Sequence, residues 1–364
     1  MGIENTIHES NEKLLAPYSR PLVRNAWYCG AWVSEVGENL LARRILDMPI
    51  VFYRAQTGEP VAVLDVCPHK LAPMHQGWRL GDDLVCGYHG LQFDKTGACV
   101  HNPQGNGIIP PHARLRSFPV AERYGAVWIW MGDPAKADAA AIPDFGHIDD
   151  AGRRTVRGGH IVASNYMMMV ENLMDLGHVL YLHGQTAGAG GLVLSDNKIG
   201  MDGNSVFDHR LYSDTPPPSI FAKYAGPDWK SSDFWTDINW FAPSMIRNHT
   251  GVAPAGEARQ ASSVDLFGSH FLTPETQDST HYFYCHSRNF RLDDPEVDEY
   301  FHNWQRSALK AEDSRVAEAI ARLVPEADAL GVRMVVLSTD LAGIRVNRIL
   351  DGMAAADAEN YERK

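Results

Sequence analysis

Five cysteines occur in the 364 residues, and two of them stand beside histidines. The stretch VCPHKLAPMH, Val66 to His75, supplies Cys67 and His69 with one residue between them; VCGYHGLQF then supplies Cys86 and His89. The whole pattern is Cys-x-His, sixteen residues, Cys-x-x-His. Thiolate and imidazole are good donors to soft and borderline metals. An odd, small number of cysteines in a large chain does not resemble a disulfide framework, so metal binding is the better use for those that cluster with histidine. A structural zinc site of two Cys and two His is the plain candidate, but paired zinc ligands are usually separated by two or more residues.

Two loops that each offer one thiolate and one imidazole suit a different group. A Rieske [2Fe–2S] cluster places two Cys on one iron and two His on the other, which raises the reduction potential. Cys67, His69, Cys86 and His89 are therefore expected to hold such a cluster. His75 falls outside the pattern and is expected on a surface loop. Cys29, Cys99 and Cys285 read as small apolar fillers.

A second set of donors lies in ENLMDLGHVLYLHG, with Asn172, Asp175, His178 and His183 amid Met, Leu, Val and Tyr. On a regular helix, residues five apart point about 140° apart. His178 and His183 can share a metal only if the helix loosens or ends, and Gly177 and Gly184 bracket the place. A ferrous oxygenase site needs two histidines and a carboxylate on one side of the iron. In the last long helix Leu309, Val316 and Ile320 fall on one stripe with Asp313 in its middle and Glu312 rotated off it. A carboxylate on an apolar face is costly unless paired or metal-bound, so Asp313 is the expected ligand and Glu312 the fallback.

The elements that must position these groups change texture along the chain. From about residue 21 to 143, short Val-, Ile-, Tyr- and Trp-rich runs (NAWYCGAWVS, IVFYRA, VAVLDVC, GAVWIWMG) alternate with turn signals, which predicts an all-β domain. Residues 144–364 predict an α+β domain: a helix from about Asn165 to Tyr181, Gly-rich loops around Ala187 to Gly191, strands from about Ser205 to Arg288, and closing helices. Asp294 is the expected N-cap of one of these, with Pro295 at its first position.

The net charge of −12 argues against nucleic acid as a partner. No apolar run reaches the ~20 residues a membrane span needs, and the first twenty residues lack a signal-peptide core. Gly2 and Thr6 match the myristoylation pattern, but no basic patch supports it. A cytoplasmic location is expected. No G-x-G-x-x-G fingerprint appears, which is consistent with NAD(P)H being oxidised by a separate reductase.

The ordered motifs CPHKLAPMHQG, CGYHGLQFD, VHNPQGNG, RSFPVAERYGAVWIWMGDP, NYMMMVENLMDLGHVLYLH, HFLTPET and SRNFRLDDPEVD resemble the Rieske non-haem iron oxygenases, in the branch of the vanillate and dicamba O-demethylases. The resemblance runs almost end to end. It implies a terminal monooxygenase that takes electrons from a reductase or ferredoxin, uses O₂ at a mononuclear Fe(II), and O-demethylates a methoxylated aromatic acid with loss of formaldehyde. It also implies a homotrimer in which one chain's cluster feeds its neighbour's iron. Asp175 would bridge His89 of the adjacent chain and His178; Asn172 would face the iron pocket. His270 and Trp304 would contact an aromatic carboxylate, with Phe241 in place of that branch's third polar contact. Aryl-methyl hydroxylation and N-demethylation are the nearest alternatives; a Rieske electron carrier is the alternative from another class.

Overall fold

The computed structural model describes residues 18, 20–184, 186, 194, 196–257, 259, 263–332 and 334–361. The Gly-rich stretch Ala187–Gly191 and the Gly2/Thr6 motif lie outside them. Two compact units are formed, one of Arg24–Ile142 with Thr273–Thr276, the other of Met1–Val23, Pro143–Leu272 and Gln277–Lys364. Nothing in the sequence pattern signalled that Thr273–Thr276 joins the first unit.

The first unit is all β, with three small antiparallel sheets. One of them, Trp78–Leu80, Asp83–Val85, Gln92–Phe93 and Cys99–His101, carries the two Cys/His loops. Its core holds Val51, Tyr53, Met74, Leu84 and Phe93 together with Cys67 and Cys86. Cys29 is also buried, and Cys99 packs against this core.

The second unit is built on a seven-stranded sheet. Its strands are β1 (Arg154–Val162), β2 (Asp196–Asp202), β3 (Ser205–Thr215), β4 (Ser232–Phe241), β5 (Met245–Pro254), β6 (Val264–Pro274) and β7 (Thr280–Arg288). The spatial order is β1-β7-β6-β5-β4-β3-β2. Sequential neighbours pair antiparallel from β2 through β6, as a meander does, and β1 closes onto β7. Register aligns Thr236 with Thr250, Ile238 with Asn248, Ile246 with His270 and Asn248 with Gly268. Because side chains alternate faces, these positions form one continuous surface.

Helix α1 spans Tyr166–Met174, shorter than the predicted Asn165–Tyr181. Asn165 caps it, its side chain accepting the Met167 N–H at 2.9 Å. It stops at Asp175, whose carboxylate accepts the Gly177 N–H at 2.8 Å, a local turn that competes with the next helical hydrogen bond. Only a 3₁₀ turn, His178–Leu180, follows. Helix α2, Pro295–Gln305, starts as predicted, with the Asp294 carboxylate accepting the Glu296 N–H at 3.1 Å. It runs into a π-helical segment, Arg306–Ser314, before α3, Arg315–Ala329, and α4, Leu341–Tyr361.

The π segment corrects the predicted stripe. Wider turns hold more residues, so a pattern counted at 3.6 per turn drifts around the axis. Leu309 and Asp313 stay buried, but Val316 and Ile320 emerge 38% and 42% exposed. Among the described residues no helix is long and apolar enough to cross a membrane.

Candidate metal centres and active-site cavity

The two Cys/His loops are built alike. In the first, the Cys67 N–H bonds to the Ala72 carbonyl and the Leu71 N–H returns to the Cys67 carbonyl, both at 2.9 Å. In the second, the Cys86 N–H bonds to Leu91 at 2.8 Å and the Gly90 N–H to Cys86 at 2.9 Å. Each loop turns through a left-handed residue at the same place, Leu71 (φ 59°) and Gly90 (φ 77°). Gly77 and Gly87 let the segments touch: a β-carbon at Gly77 would lie 1.9 Å from the Val85 carbonyl oxygen, and one at Gly87 2.8 Å from that of Gln76.

Both cysteines are buried, whereas His69 is exposed and His89 half-buried, their rings 4.5 Å apart. Burial pushes the Cys67 thiol up to about 11; backbone N–H groups of His69 and Lys70 oppose this by bonding its sulfur, and the adjacent Cys86 sulfur adds to it. Two thiolates side by side in a dry core need a cation between them. Among the described residues, one trio of potential ligands brings its donor atoms within 4.8 Å of one another, and it contains none of these four. Donors spread this way suit two irons, sulfur inside and imidazole outside, rather than a single tetrahedral zinc. His75 is less free than predicted: both its backbone N–H (2.7 Å) and its ring Nδ1 bond to the buried Asp65.

The trio that does converge is His178, His183 and Asp313. Asp313 Oδ1 lies 2.9 Å from His183 Nε2 and 3.5 Å from His178 Nε2, and the carboxylate is 1% exposed. The other nitrogen of each ring is tied back. His178 Nδ1 donates to the Asp175 backbone carbonyl, and His183 Nδ1 donates to Glu312 Oε2 at 2.6 Å. With Nδ1 protonated in both, both Nε2 lone pairs face Asp313 and are available to a metal. Burial lowers the His178 pKa. Burial acts on His183 as well, but the Asp313 and Glu312 carboxylates outweigh it and raise the pKa.

One expectation changes here, and the fallback ligand is set aside. Glu312 does not join the donors; it braces His183 from behind and also accepts from the Thr186 hydroxyl. The Asp175 group that meets His178 is its carbonyl, not its carboxylate. Asn172 reaches Asp313 Oδ1 through its amide at 3.4 Å and, with Asp175 and His178, lines a second cavity behind the trio. Since the Glu312 brace fixes a ring whose free nitrogen faces Asp313, Glu312→Ala is expected to weaken iron retention about 10- to 100-fold. Iron loss to a chelator measures this, and excess ferrous iron should restore turnover.

In front of the trio lies a cavity of about 130 Å³, close to the ~150 Å³ that holds one benzene ring. Its walls are mainly apolar, including Leu173, Phe221, Ile238 and Leu266. His270 and Trp304 line it as expected from the sequence; the Trp304 indole N–H is buried without a hydrogen-bond partner among the described residues. Phe241 does not line it. It sits at the end of β4, edge-on to Phe145 with Arg247 over its ring. The sheet's polar contribution comes instead from Asn248, which accepts from the Thr236 hydroxyl at 3.1 Å, and from His286. Sequence reasoning missed both. The available signal was the period-two face Ile246, Asn248, Thr250 on β5.

Residues 26–119 match the Rieske [2Fe-2S] domain model, and residues 162–356 match that of the vanillate O-demethylase oxygenase C-terminal domain. The chain is 43% identical to the dicamba O-demethylase oxygenase component of Stenotrophomonas maltophilia, covering 92% of this chain and 99% of that one. It is 34% identical to the chloroacetanilide N-alkylformylase oxygenase component of Rhizorhabdus wittichii, over 92% and 96%. A crystal structure of dicamba monooxygenase bound to dicamba superposes with a TM-score of 0.85 at 41% identity, covering 93% and 99%. The chain thus belongs to the vanillate O-demethylase-type Rieske oxygenases, terminal oxygenase components that carry a [2Fe–2S] cluster and a non-haem iron.

Proposed function

We propose that this oxygenase O-demethylates a methoxylated aromatic acid, releasing formaldehyde and a phenol. The observation that carries the reading is a one-ring apolar cavity that opens directly onto His178, His183 and Asp313 and ends in hydrogen-bond donors. Cys67, Cys86, His69 and His89 hold the cluster; His178, His183 and Asp313 hold the iron. When bound, the iron supplies O₂ activation with electrons that arrive through the cluster.

The protein's own part is placement. Leu173, Phe221 and Ile238 exclude water and pack the ring. The unpartnered Trp304 N–H and the His270 ring nitrogen give an acid group its hydrogen bonds, so the methoxy carbon at the other end of the ring is presented to the metal. Electrons come from NAD(P)H through a reductase or ferredoxin in the cytoplasm. The exposed position of His69 suits electron entry at the histidine edge of the cluster. We place the chains in a head-to-tail homotrimer, with Asp175 linking one chain's iron to the next chain's cluster.

A second reading, N-dealkylation of an anilide, follows from the similarity to the N-alkylformylase component. The test is turnover of methoxybenzoates with a compatible reductase, following O₂ uptake and formaldehyde. Formaldehyde in proportion to NAD(P)H consumed is the expected result. Activity on N-alkyl anilides with none on any methoxybenzoate would replace the reading by the second one.

A further inference from the structure

His286 enters the cavity from β7, and beyond lining its wall it has been given no role. Its ring is 4% exposed, and its Nδ1 lies 2.9 Å from the Gln305 amide nitrogen. The same nitrogen bonds to the Val156 carbonyl at 3.2 Å. A carbonyl can only accept, so this atom is the NH₂ of the amide and donates to His286 as well. His286 Nδ1 is then the acceptor, and the ring proton must sit on Nε2.

The neighbouring strand presents a matching group. His270 Nδ1 lies 2.7 Å from the Tyr282 hydroxyl; when that hydroxyl donates, His270 also carries its proton on Nε2. Both Nε2 atoms border the same point. A β-carbon at Gly268 would lie 3.1 Å from His270 Nε2 and 3.4 Å from His286 Nε2. Gly268 provides none, so a small space remains over bare backbone between two N–H donors. Trp304 stands edge-on to His286 at 4.9 Å.

We propose that His286 joins His270 and Trp304 in seating the acid group of the substrate, His270 and His286 each giving an Nε2–H to a carboxylate oxygen over Gly268. This deepens the reading of the cavity as an aromatic-acid site and rests on it. No lysine or arginine lines the cavity among the described residues. The seat therefore recognises a carboxylate by fixed neutral donors in a dry site, where such bonds are strong. Burial depresses His270 to about 4 and His286 well below its ordinary value, so neither ring is charged in the empty cavity. Gln305 is a positioning residue: it sets the His286 tautomer and does not line the cavity.

The test is calorimetric binding of a methoxybenzoate and the matching methoxybenzamide to the holoenzyme. His286→Leu is expected to weaken the benzoate about 10- to 100-fold while leaving the amide within about twofold. His286→Gln, which keeps an N–H donor, should retain the preference for the acid. Gly268→Ala, which fills the seat with a methyl group and leaves His286 in place, should reproduce the loss even if His286→Leu fails to fold. Unchanged benzoate affinity in both Gly268→Ala and His286→Leu, or a parallel fall for the amide, overturns the proposal. If the unaltered enzyme binds neither compound, the aromatic-acid reading fails with it; if it binds the acid and the variants bind it equally, only the two-histidine seat fails.

Discussion

Asp313→Ala protein is expected to keep its [2Fe–2S] cluster and lose its mononuclear iron, with turnover abolished. Iron content should fall from about three atoms per chain to about two, while the visible spectrum of the cluster is unchanged. The reasoning is local. Among the described residues Asp313 is the one carboxylate that approaches both Nε2 atoms, at 2.9 and 3.5 Å, and it is almost fully buried. An ionised carboxylate in that position is stable only with positive charge or donors around it. Its described neighbours are two imidazoles whose protons are committed elsewhere and one long bond from Asn172. A divalent ion supplies the missing charge. Removing the carboxylate leaves two neutral ligands, which do not retain ferrous iron against dilution. Asp313→Glu would push the oxygen further along a side chain that has no room to retreat, so partial iron retention with little turnover is expected from it. A variant that held all three irons would show that another residue completes the ligand set.

How much of this was legible depends on the range over which each feature is determined. The cluster loops were readable because Cys67, His69, Cys86 and His89 are close in sequence, and the spacing within each pair restricts what they can bind. Asp313 was readable because an acid stands out on an apolar stripe, but the stripe itself was counted on an α-helix. The π segment moved Val316 and Ile320 outward while leaving Leu309 and Asp313 inside. The short α1 was not foreseen, because apolar periodicity continues past Met174 and only the turn made by the Asp175 side chain ends it. The cavity was hardest to read. Asn248 and His286 become neighbours of His270 only through the register of β5, β6 and β7 and through which sheet face the helices cover. Phe241 was assigned from sequence position next to a strand tryptophan. It lies seven residues from Asn248, across the β4–β5 turn.

Asp175→Asn is expected to leave the cluster, the iron and the fold intact and still slow turnover by roughly 100-fold, the upper range for a group that orients metal ligands from behind. The substitution is informative because the two roles of Asp175 separate. Its backbone carbonyl holds His178 Nδ1, and its Oδ1 accepts the Gly177 N–H at 2.8 Å. Asparagine preserves both, since its side-chain oxygen can accept the same N–H. What asparagine cannot supply is negative charge in the wall of the cavity that Asp175 shares with His178 and Asn172. If that charge orients the neighbouring chain's His89 and carries the electron path, stopped-flow oxidation of the reduced cluster by O₂ in the presence of substrate should slow as much as turnover does. Iron content and substrate binding should remain at their original values. Fast cluster oxidation with slow product formation would instead place the role of Asp175 at the iron of its own chain. Unchanged turnover would reduce Asp175 to the residue that ends α1, a task asparagine performs as well as aspartate.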